Sequence, residues 1–511
     1  MYGFGWFIAR TQEAYTSTLL RLFLAAAMLA GALPSLAAEF PLSLDDAVRT
    51  AVENNLSLRA QTFNPAISRT DVRRARAIYN PRLDILLDHR GSNTRTATDS
   101  FFFDRERSFD ANVSTDVLVS TGATASASFT NLWKQDNLGT SLSRFAQPNF
   151  TLSFSQPLLQ GLGREVTERG ITVATFATES ALANWRAQSL SVAGNTRDGY
   201  FAVIKARENL QTRRSSLALA REIHASNEAR VRAGVLAAVE LLDSQLGVAQ
   251  REKDLLDAEK NAQDEADKLL VLLHLPPHTE LILSQPPSEA AIDRSEENAI
   301  RKALGMRPDL LQARINQKSQ EFSAKVSRNL LLPSLSLKGS AGLAGLGTDT
   351  GSAFDDLKTG KSPSWSIGLE LAYPLGNDAA EADLAKNRLL AGQSQVQIRS
   401  LEESAGLDVR SAIRNLETRD QQIGVSKRGV DLAEARFDSY VKRGRVGLAT
   451  TKDILQVESD LTAAREALSG ARSDFQVAVT QYWKSTGEIL ERHGIRIEDN
   501  EIETLAWKEI R

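Results

Sequence analysis

Apolar residues return every seven positions over long stretches of this chain. Ile454, Leu461, Leu468, Phe475 and Tyr482 form one row, and Val457, Ala464, Ala471 and Ala478 follow three positions behind it. Large and small side chains thus alternate along an a/d seam, the pattern of helices that interlock knobs into holes. The preceding segment repeats it with Val409, Leu416, Ile423, Val430 and Phe437, and the first half of the chain with Leu241, Val248, Leu255, Ala262 and Leu269. Between these rows lie mainly Arg, Glu, Gln, Asp and Ala, which make a solvated surface. No Pro occurs from Leu158 to Leu275 or from Leu375 to Arg511, and an interior Pro costs a helix about 3 kcal/mol. One helix over residues 165–230 would be about 100 Å long. Such a rod packs against other rods and not into a globule of short helices.

Two other regions alternate with period two. Ala111, Val113, Thr115 and Val117 interleave with Asn112, Ser114 and Asp116; Ala125, Ala127 and Phe129 with Ser126 and Ser128; Phe150, Leu152 and Phe154 with Thr151 and Ser153. Later, Leu335 and Leu337 alternate with Ser334 and Ser336, and Ile367, Leu369, Leu371 and Tyr373 with Ser366, Gly368, Glu370 and Ala372. One apolar and one Ser/Thr/Asn face is expected of strands between lipid and a wet lumen, although a soluble sandwich also alternates. Phe129, Trp133, Phe150, Trp365 and Tyr373 would suit aromatic girdles.

The chain states this order twice. Ala47 to Leu58 resembles Ala299 to Leu310, and Tyr79-Asn80-Pro81 resembles Leu331-Leu332-Pro333, both at an offset of 252. Phe150 to Pro157 matches Ile367 to Pro374 at an offset of 217, and Gly234 to Glu240 matches Gly447 to Asp453 at 213. The first half therefore holds an insert of 35 residues between its Pro81 and Pro157. Residues 84–155 have room for four strands against two in the second half, which would either enlarge a shared barrel of such strands or make a surface-exposed hairpin. Phe101 to Arg107, mixed apolar and charged, reads as a loop.

The domain reading follows. Residues 1–38 are a signal peptide: Arg10 and Arg21 precede the apolar run Leu22 to Leu33, and Ala37-Ala38 supplies a small-residue cleavage site. Residues 39–275 form the first repeat, with strands about 83–157 and a helical hairpin about 165–274 whose tip lies near 234. A Pro-rich linker covers 276–296. Residues 297–490 form the second repeat, with strands about 334–374 and a hairpin about 378–490 whose tip lies near 447. Residues 491–511 are a polar tail. Pro157 and Pro374 mark the strand-to-helix turns.

Composition narrows the chemistry. The net charge is −3, with Lys+Arg 61 against Asp+Glu 64, which excludes a broadly basic nucleic-acid binder. Cys is 0, which excludes disulfides, thiolate metal sites and a Cys nucleophile. His274 and His278 flank Pro276-Pro277, and a solvated linker is the expectation there, not a metal site. No nucleophile–base set, paired-carboxylate pocket or phosphate loop stands out. No catalytic residue, metal or cofactor is expected.

Two joints carry the most specific signal. Gly234 and Gly447 each precede an acid by six residues, Glu240 and Asp453, followed by two apolar residues. Gly permits chain reversal at a helix C-terminus, and the acid sits at the next helix's start, where negative charge is favoured. Thr450 or Thr451 can cap that helix. With Ser155-Gln156-Pro157-Leu158-Leu159 and Ala372-Tyr373-Pro374-Leu375, these joints resemble the TolC-like outer-membrane efflux protein family over roughly Leu42 to Leu490.

The resemblance implies a mainly α fold with β: a duplicated repeat, a long coiled-coil α-helical barrel and a transmembrane β-barrel shared by a homotrimer. It implies an outer-membrane channel whose helical tunnel crosses the periplasm and passively exports small molecules or proteins. The Gly turns would be periplasmic tips that meet an adaptor protein, with an RND or ABC pump in the inner membrane. Acidic rings narrow the tunnel in this family; Asp453 fits the first position and Gln456 replaces the second acid. Glu240 and Asp243 hold that spacing of three in the first repeat instead. Each acid is also open to reading as a first-turn dipole partner. Arg443 and Arg445 are candidates for a tip latch. The competing reading is a secreted or surface coiled-coil structural protein or adhesin without a pore. Three Met and five His, unclustered, weigh against a copper or silver specialist.

Overall fold

The computed structural model describes residues 40–95, 103–136, 143–277, 279–284 and 292–496, together with Ile502 and Ala506. The signal-peptide reading, His278 and most of the tail fall outside these residues. So do Phe101 and Phe102.

In chain order the elements are β1 (Phe40–Leu42), α1 (Leu44–Asn54), α2 (Leu56–Arg76), then β2 (Arg82–Arg95), β3 (Phe103–Leu118), β4 (Thr124–Asp136) and β5 (Arg144–Pro157). A short α3 (Arg164–Thr167) leads into α4 (Arg169–Arg232) and α5 (Ala238–Leu273). The second half begins with β6 (Leu281–Leu283), α6 (Glu296–Met306), α7 (Pro308–Asn329) and β7 (Ser334–Ala344). It continues with α8 (Thr350–Thr359), β8 (Pro363–Ala372), α9 (Asp378–Arg445), α10 (Thr451–Thr486) and α11 (Ile489–Arg492). The outgoing helices have 64 and 68 residues, and both returning helices have 36, so the duplication holds in element length as well as in order.

The chain forms two compact units. The first comprises the described residues up to Ala51, with Thr196–Ala291 and Ile423–Ser473. Its core holds Tyr200, Val203, Leu217, Leu269, Val457 and Leu461. Here α4 of the first repeat lies antiparallel to α10 of the second, joined by a polar ladder. Asn227 donates to the Thr451 hydroxyl at 2.7 Å, Ser216 to Glu458 at 2.6 Å, Arg213 to Glu466 at 2.8 Å, and Ser469 to Glu208 at 2.6 Å. The heptad rows lie where knobs-into-holes packing puts them: Val457, Leu461 and Ala471 are buried, and Leu241, Val248 and Leu255 half-buried. A parallel pair β1–β6, too short to read from sequence, brings Phe40–Leu42 beside Leu281–Leu283 inside the expected linker. The Tyr200 hydroxyl sits between its ends, 3.0 Å from the Leu42 carbonyl and 2.6 Å from that of Ser284.

The second unit comprises Val52–Asn195, Ile292–Gln422 and the described residues from Asp474 onward. Its helices bury Leu310, Val409, Leu416 and Val479, and the Tyr482 hydroxyl donates to the Asp293 carbonyl at 2.6 Å. It also holds one six-stranded sheet in the order β2-β3-β4-β5-β7-β8, every neighbour antiparallel. The first half supplies four strands and the second half two. The segment Phe103–Arg107, read as loop, is the start of β3, because the β2–β3 ladder runs on to Arg95↔Phe103. Helix α8 lies on the sheet beside β5, its Phe354 ring stacked on Phe129 at 5.7 Å. Phe129 is thus a covered mid-strand residue and not a rim aromatic.

Candidate functional site

Each helical hairpin reverses at its glycine by the same hydrogen bonds. Gly234 N–H donates to Val231 and Val235 N–H to Arg230; Gly447 N–H donates to Gly444 and Leu448 N–H to Arg443. The glycines have φ of +72° and +80°, a region that L-residues rarely adopt. Nothing lies within 4 Å of where a Cβ would stand at either, so backbone conformation and not crowding asks for Gly here. Val235, Val446 and Leu448 beside the glycines are at least 70 % exposed.

The returning helices start differently. In α10, Asp453 N–H donates to the Thr450 hydroxyl at 3.1 Å, and Thr450 N–H returns to the Asp453 carboxylate at 3.0 Å. The Thr450 hydroxyl also donates to that carboxylate at 2.8 Å. This reciprocal cap satisfies two donors that a helix N-terminus leaves open. In α5 the N-cap is Ala237, which has no side-chain cap. Glu240, instead of serving its own helix, accepts the Thr451 N–H of the other repeat at 2.9 Å. A carboxylate from α5 thus sits on the positive end of α10. Asp243 is half-buried one turn further along α5, and Gln456 is exposed and bonds Asp460.

Hydrogen bonds from the Thr450 backbone N–H, then from its hydroxyl, hold the Asp453 carboxyl below its ordinary value. A carboxylate depressed in the folded state stabilises it fully above the unfolded value, about 3.9. That stability fades as pH falls through the folded value. Amide exchange at Asp453 is therefore expected to accelerate, relative to the middle of α10, below about pH 4. Asp453→Asn should flatten this pH dependence, and an unchanged profile would show that the cap does not hold the turn.

Deeper in the same unit lies a group that the sequence did not announce. Glu458 on α10 is 4 % exposed and Arg251 on α5 is 11 % exposed, and they pair at 2.7 Å. Arg251 also donates to the Leu455 carbonyl at 2.8 Å, while Ser216 of α4 and Thr462 donate to Glu458 at 2.6 and 2.9 Å. One ion pair therefore joins three helices from both repeats. Of the expected latch residues, Arg443 stands over the Tyr440 ring at 5.7 Å. Gly444 lets α10 approach, because a Cβ there would meet Ile454 Cδ1 at 2.5 Å.

At the other joint, the first repeat is stitched to the second just past Pro157. Leu158 N–H donates to the Leu335 carbonyl at 2.7 Å, and Gly161 N–H to the Asn329 side chain at 2.7 Å. Pro374 is exposed, and Asn377 just beyond it donates to the Leu331 carbonyl at 3.4 Å. His274 closes α5 as a left-handed cap with φ of +54°. Among the described residues no cluster of His, Asp and Glu is arranged to hold a metal.

Comparison with known proteins places this architecture. The chain is 26 % identical over 206 residues to outer membrane efflux protein BepC of Brucella suis, covering 40 % of this chain and 44 % of that one. It is 24 % identical over 307 residues to the pyoverdine export outer membrane protein OpmQ of Pseudomonas aeruginosa, covering 60 % and 62 %. It thus spans less than two thirds of the length of either relative. The fold is that of the CmeC outer membrane channel of Campylobacter jejuni, with a TM-score of 0.65 at 17 % identity over 91 % of this chain and 89 % of that one. The model of the outer membrane efflux protein family matches residues 47–273 and 299–488, and with most of its length so matched the chain belongs to that family.

Proposed function

We propose that this chain is one subunit of a homotrimeric outer-membrane channel that passively exports cargo delivered from the periplasm. The observation that carries the reading is the two-faced sheet. One cross-strand row is Ile85, Val113, Phe129, Phe150, Leu343 and Pro363; an opposite-face row is Arg82, Asp116, Ser126, Ser153, Ser340 and Ser366. The apolar face includes Ile85, Trp365, Ile367 and Leu369, each more than 60 % exposed. Water would penalise such a face, at roughly 25 cal/mol per Å², and lipid would not. No helix among the described residues is long and apolar enough to cross a membrane. A barrel wall satisfies backbone groups in lipid by pairing between strands.

The trimer draws support from apolar stripes that the single chain leaves uncovered. Val239 and Leu246, with Leu242 and Leu256, are spaced by heptads along α5, as are Val425 and Leu432 along α9, and all are exposed. Stripes at that period fit neighbouring helices of other subunits. Closing them around a tunnel leaves the glycine turns as tips, whose exposed Val235, Val446 and Leu448 suit an apolar contact with an adaptor protein. An inner-membrane pump of the RND or ABC type would supply the energy.

At the tip, Glu240 acts as a brace between repeats, while Asp243 and Asp453 are the acids available to the lumen. Planar-bilayer recording of the purified trimer tests the whole reading. Cation-selective channels are expected, with weaker divalent block in Asp243→Asn and Asp453→Asn. Glu240→Gln should raise conductance by loosening the tip. Membrane-inserted trimers that never conduct would favour the structural, pore-free alternative.

A further inference from the structure

We infer that the assembled barrel has eighteen strands and not twelve, so that its membrane exit is about half again as wide as two strands per repeat would make it. The inference rests on the trimeric channel proposed above. Three features show that the extra hairpin, β3–β4, belongs to the wall.

First, it lies inside the sheet and not on its flank. β3 pairs with β2 from Arg82↔Asp116 to Arg95↔Phe103, and β4 pairs with β5 from Thr124↔Ser155 to Gln135↔Arg144. Lifting the hairpin out would break both ladders, taking from β2 its one partner among the described residues and from β5 one of its two.

Second, it carries the same two faces in the same sense. Val113 pairs with Ile85 and Ala127 with Leu152 on the apolar face, and Asp116 and Ser126 fall in the polar row. A hairpin standing clear of the membrane would have no reason to keep an apolar face in register with lipid-facing neighbours.

Third, its turn is built into the strand-to-helix joint. Gly163 N–H donates to the Thr121 carbonyl at 3.0 Å, and the Thr121 hydroxyl donates to Gln156 at 2.9 Å. Gly122 comes so close that a Cβ would stand 2.4 Å from the Gly161 carbonyl oxygen.

Six strands also suit closure. With every neighbour antiparallel, the edges β2 and β8 run in opposite directions. The β8 edge of one subunit can then pair antiparallel with the β2 edge of the next, which removes every free edge. Strands about 4.8 Å apart and tilted about 40° close at a radius of about 18 Å for eighteen and about 12 Å for twelve. The wider ring has about twice the cross-section and falls in the range of barrels that leave an aqueous channel. Size discrimination then rests on the helices and their tips, and the membrane segment passes whatever the tips admit.

The absence of Cys makes the test clean. A spin label on Ser153→Cys reports β5, which is in the wall under either arrangement. Equivalent Cα positions in the trimer are expected about 31 Å apart for eighteen strands and about 21 Å for twelve, before correction for the label. A distance near the smaller value overturns the inference and leaves the trimeric channel standing. An absent intersubunit distance overturns both. As a second readout, the Ser126 and Ser153 hydroxyl oxygens lie 2.5 Å apart. The Ser126→Cys/Ser153→Cys pair should therefore cross-link within subunits of folded, heat-modifiable trimers. Failure to cross-link there would place the hairpin outside the wall.

Discussion

Replacing Glu458 with Ala is expected to weaken the packing of α4, α5 and α10 by about 3–5 kcal/mol, the usual cost of orphaning one partner of a buried ion pair. Arg251 would keep its charge at 11 % exposure with only carbonyl partners, and the Ser216 and Thr462 hydroxyls would lose their acceptor. The loss falls on contacts between repeats, because Ser216 and Arg251 belong to the first and Glu458 to the second. Thermal unfolding should therefore drop by several degrees, and single-channel recordings should show more frequent or larger openings. Arg251→Ala should do the same through the opposite orphan. The double change Arg251→Met/Glu458→Leu separates charge from contact. With neither charge buried, stability should return close to that of the wild type, since Ser216 can turn its hydroxyl to a carbonyl one turn back. Glu458→Ala channels that melt and gate like the wild type would show that the pair does not hold the helices together.

The same residue shows where sequence reading stops. Val457, Leu461 and Ala471 were legible as core because the heptad is a property of one segment, and their burial follows from it. Glu458 follows Val457 directly, in a position that reads as solvated surface. Its partners Arg251 and Ser216 lie 207 and 242 residues away, and no local pattern links them. Glu240 is a related case. An acid in the first turn of α5 was legible as a dipole partner, but the dipole it meets belongs to α10, 211 residues on. By contrast Gly234 and Gly447 were legible because their demand is local, a positive φ at a helix end.

The strands divide in the same way. Each alternation was legible within its own segment, and the offset between halves revealed the inserted hairpin. What alternation could not supply was register. The ladders put all six apolar sets on one face, and a slip of one residue in any strand would have put that set on the other. That register puts the inserted hairpin inside one six-stranded sheet, a placement that alternation within single segments does not specify.

The hairpin's dependence on its turn gives the second large effect. Gly122 has φ of +89°, where a side chain is strained, and any Cβ would collide with the Gly161 carbonyl oxygen, a backbone atom that cannot rotate away. Strain of about 1–3 kcal/mol adds to about 1–3 kcal/mol for forcing atoms into occupied space. Gly122→Ala is thus expected to cost about 2–6 kcal/mol, felt at the joint where Thr121 meets Gln156 and Gly163. Two controls isolate the cause. Gly91→Ala, in β2, has nothing within 4 Å of its new Cβ and should be near neutral. Gly163→Ala also has open space, but its φ of +99° leaves it the strain without the collision. Trimer yield and heat-modifiable migration should therefore fall in the order Gly91→Ala, Gly163→Ala, Gly122→Ala, from least to most affected. If the hairpin stood apart from the wall, its turn could relax freely, and Gly122→Ala would assemble as well as Gly163→Ala. A barrel that loses its trimers when one methyl group is added at Gly122 is a barrel whose inserted strands are part of its closure.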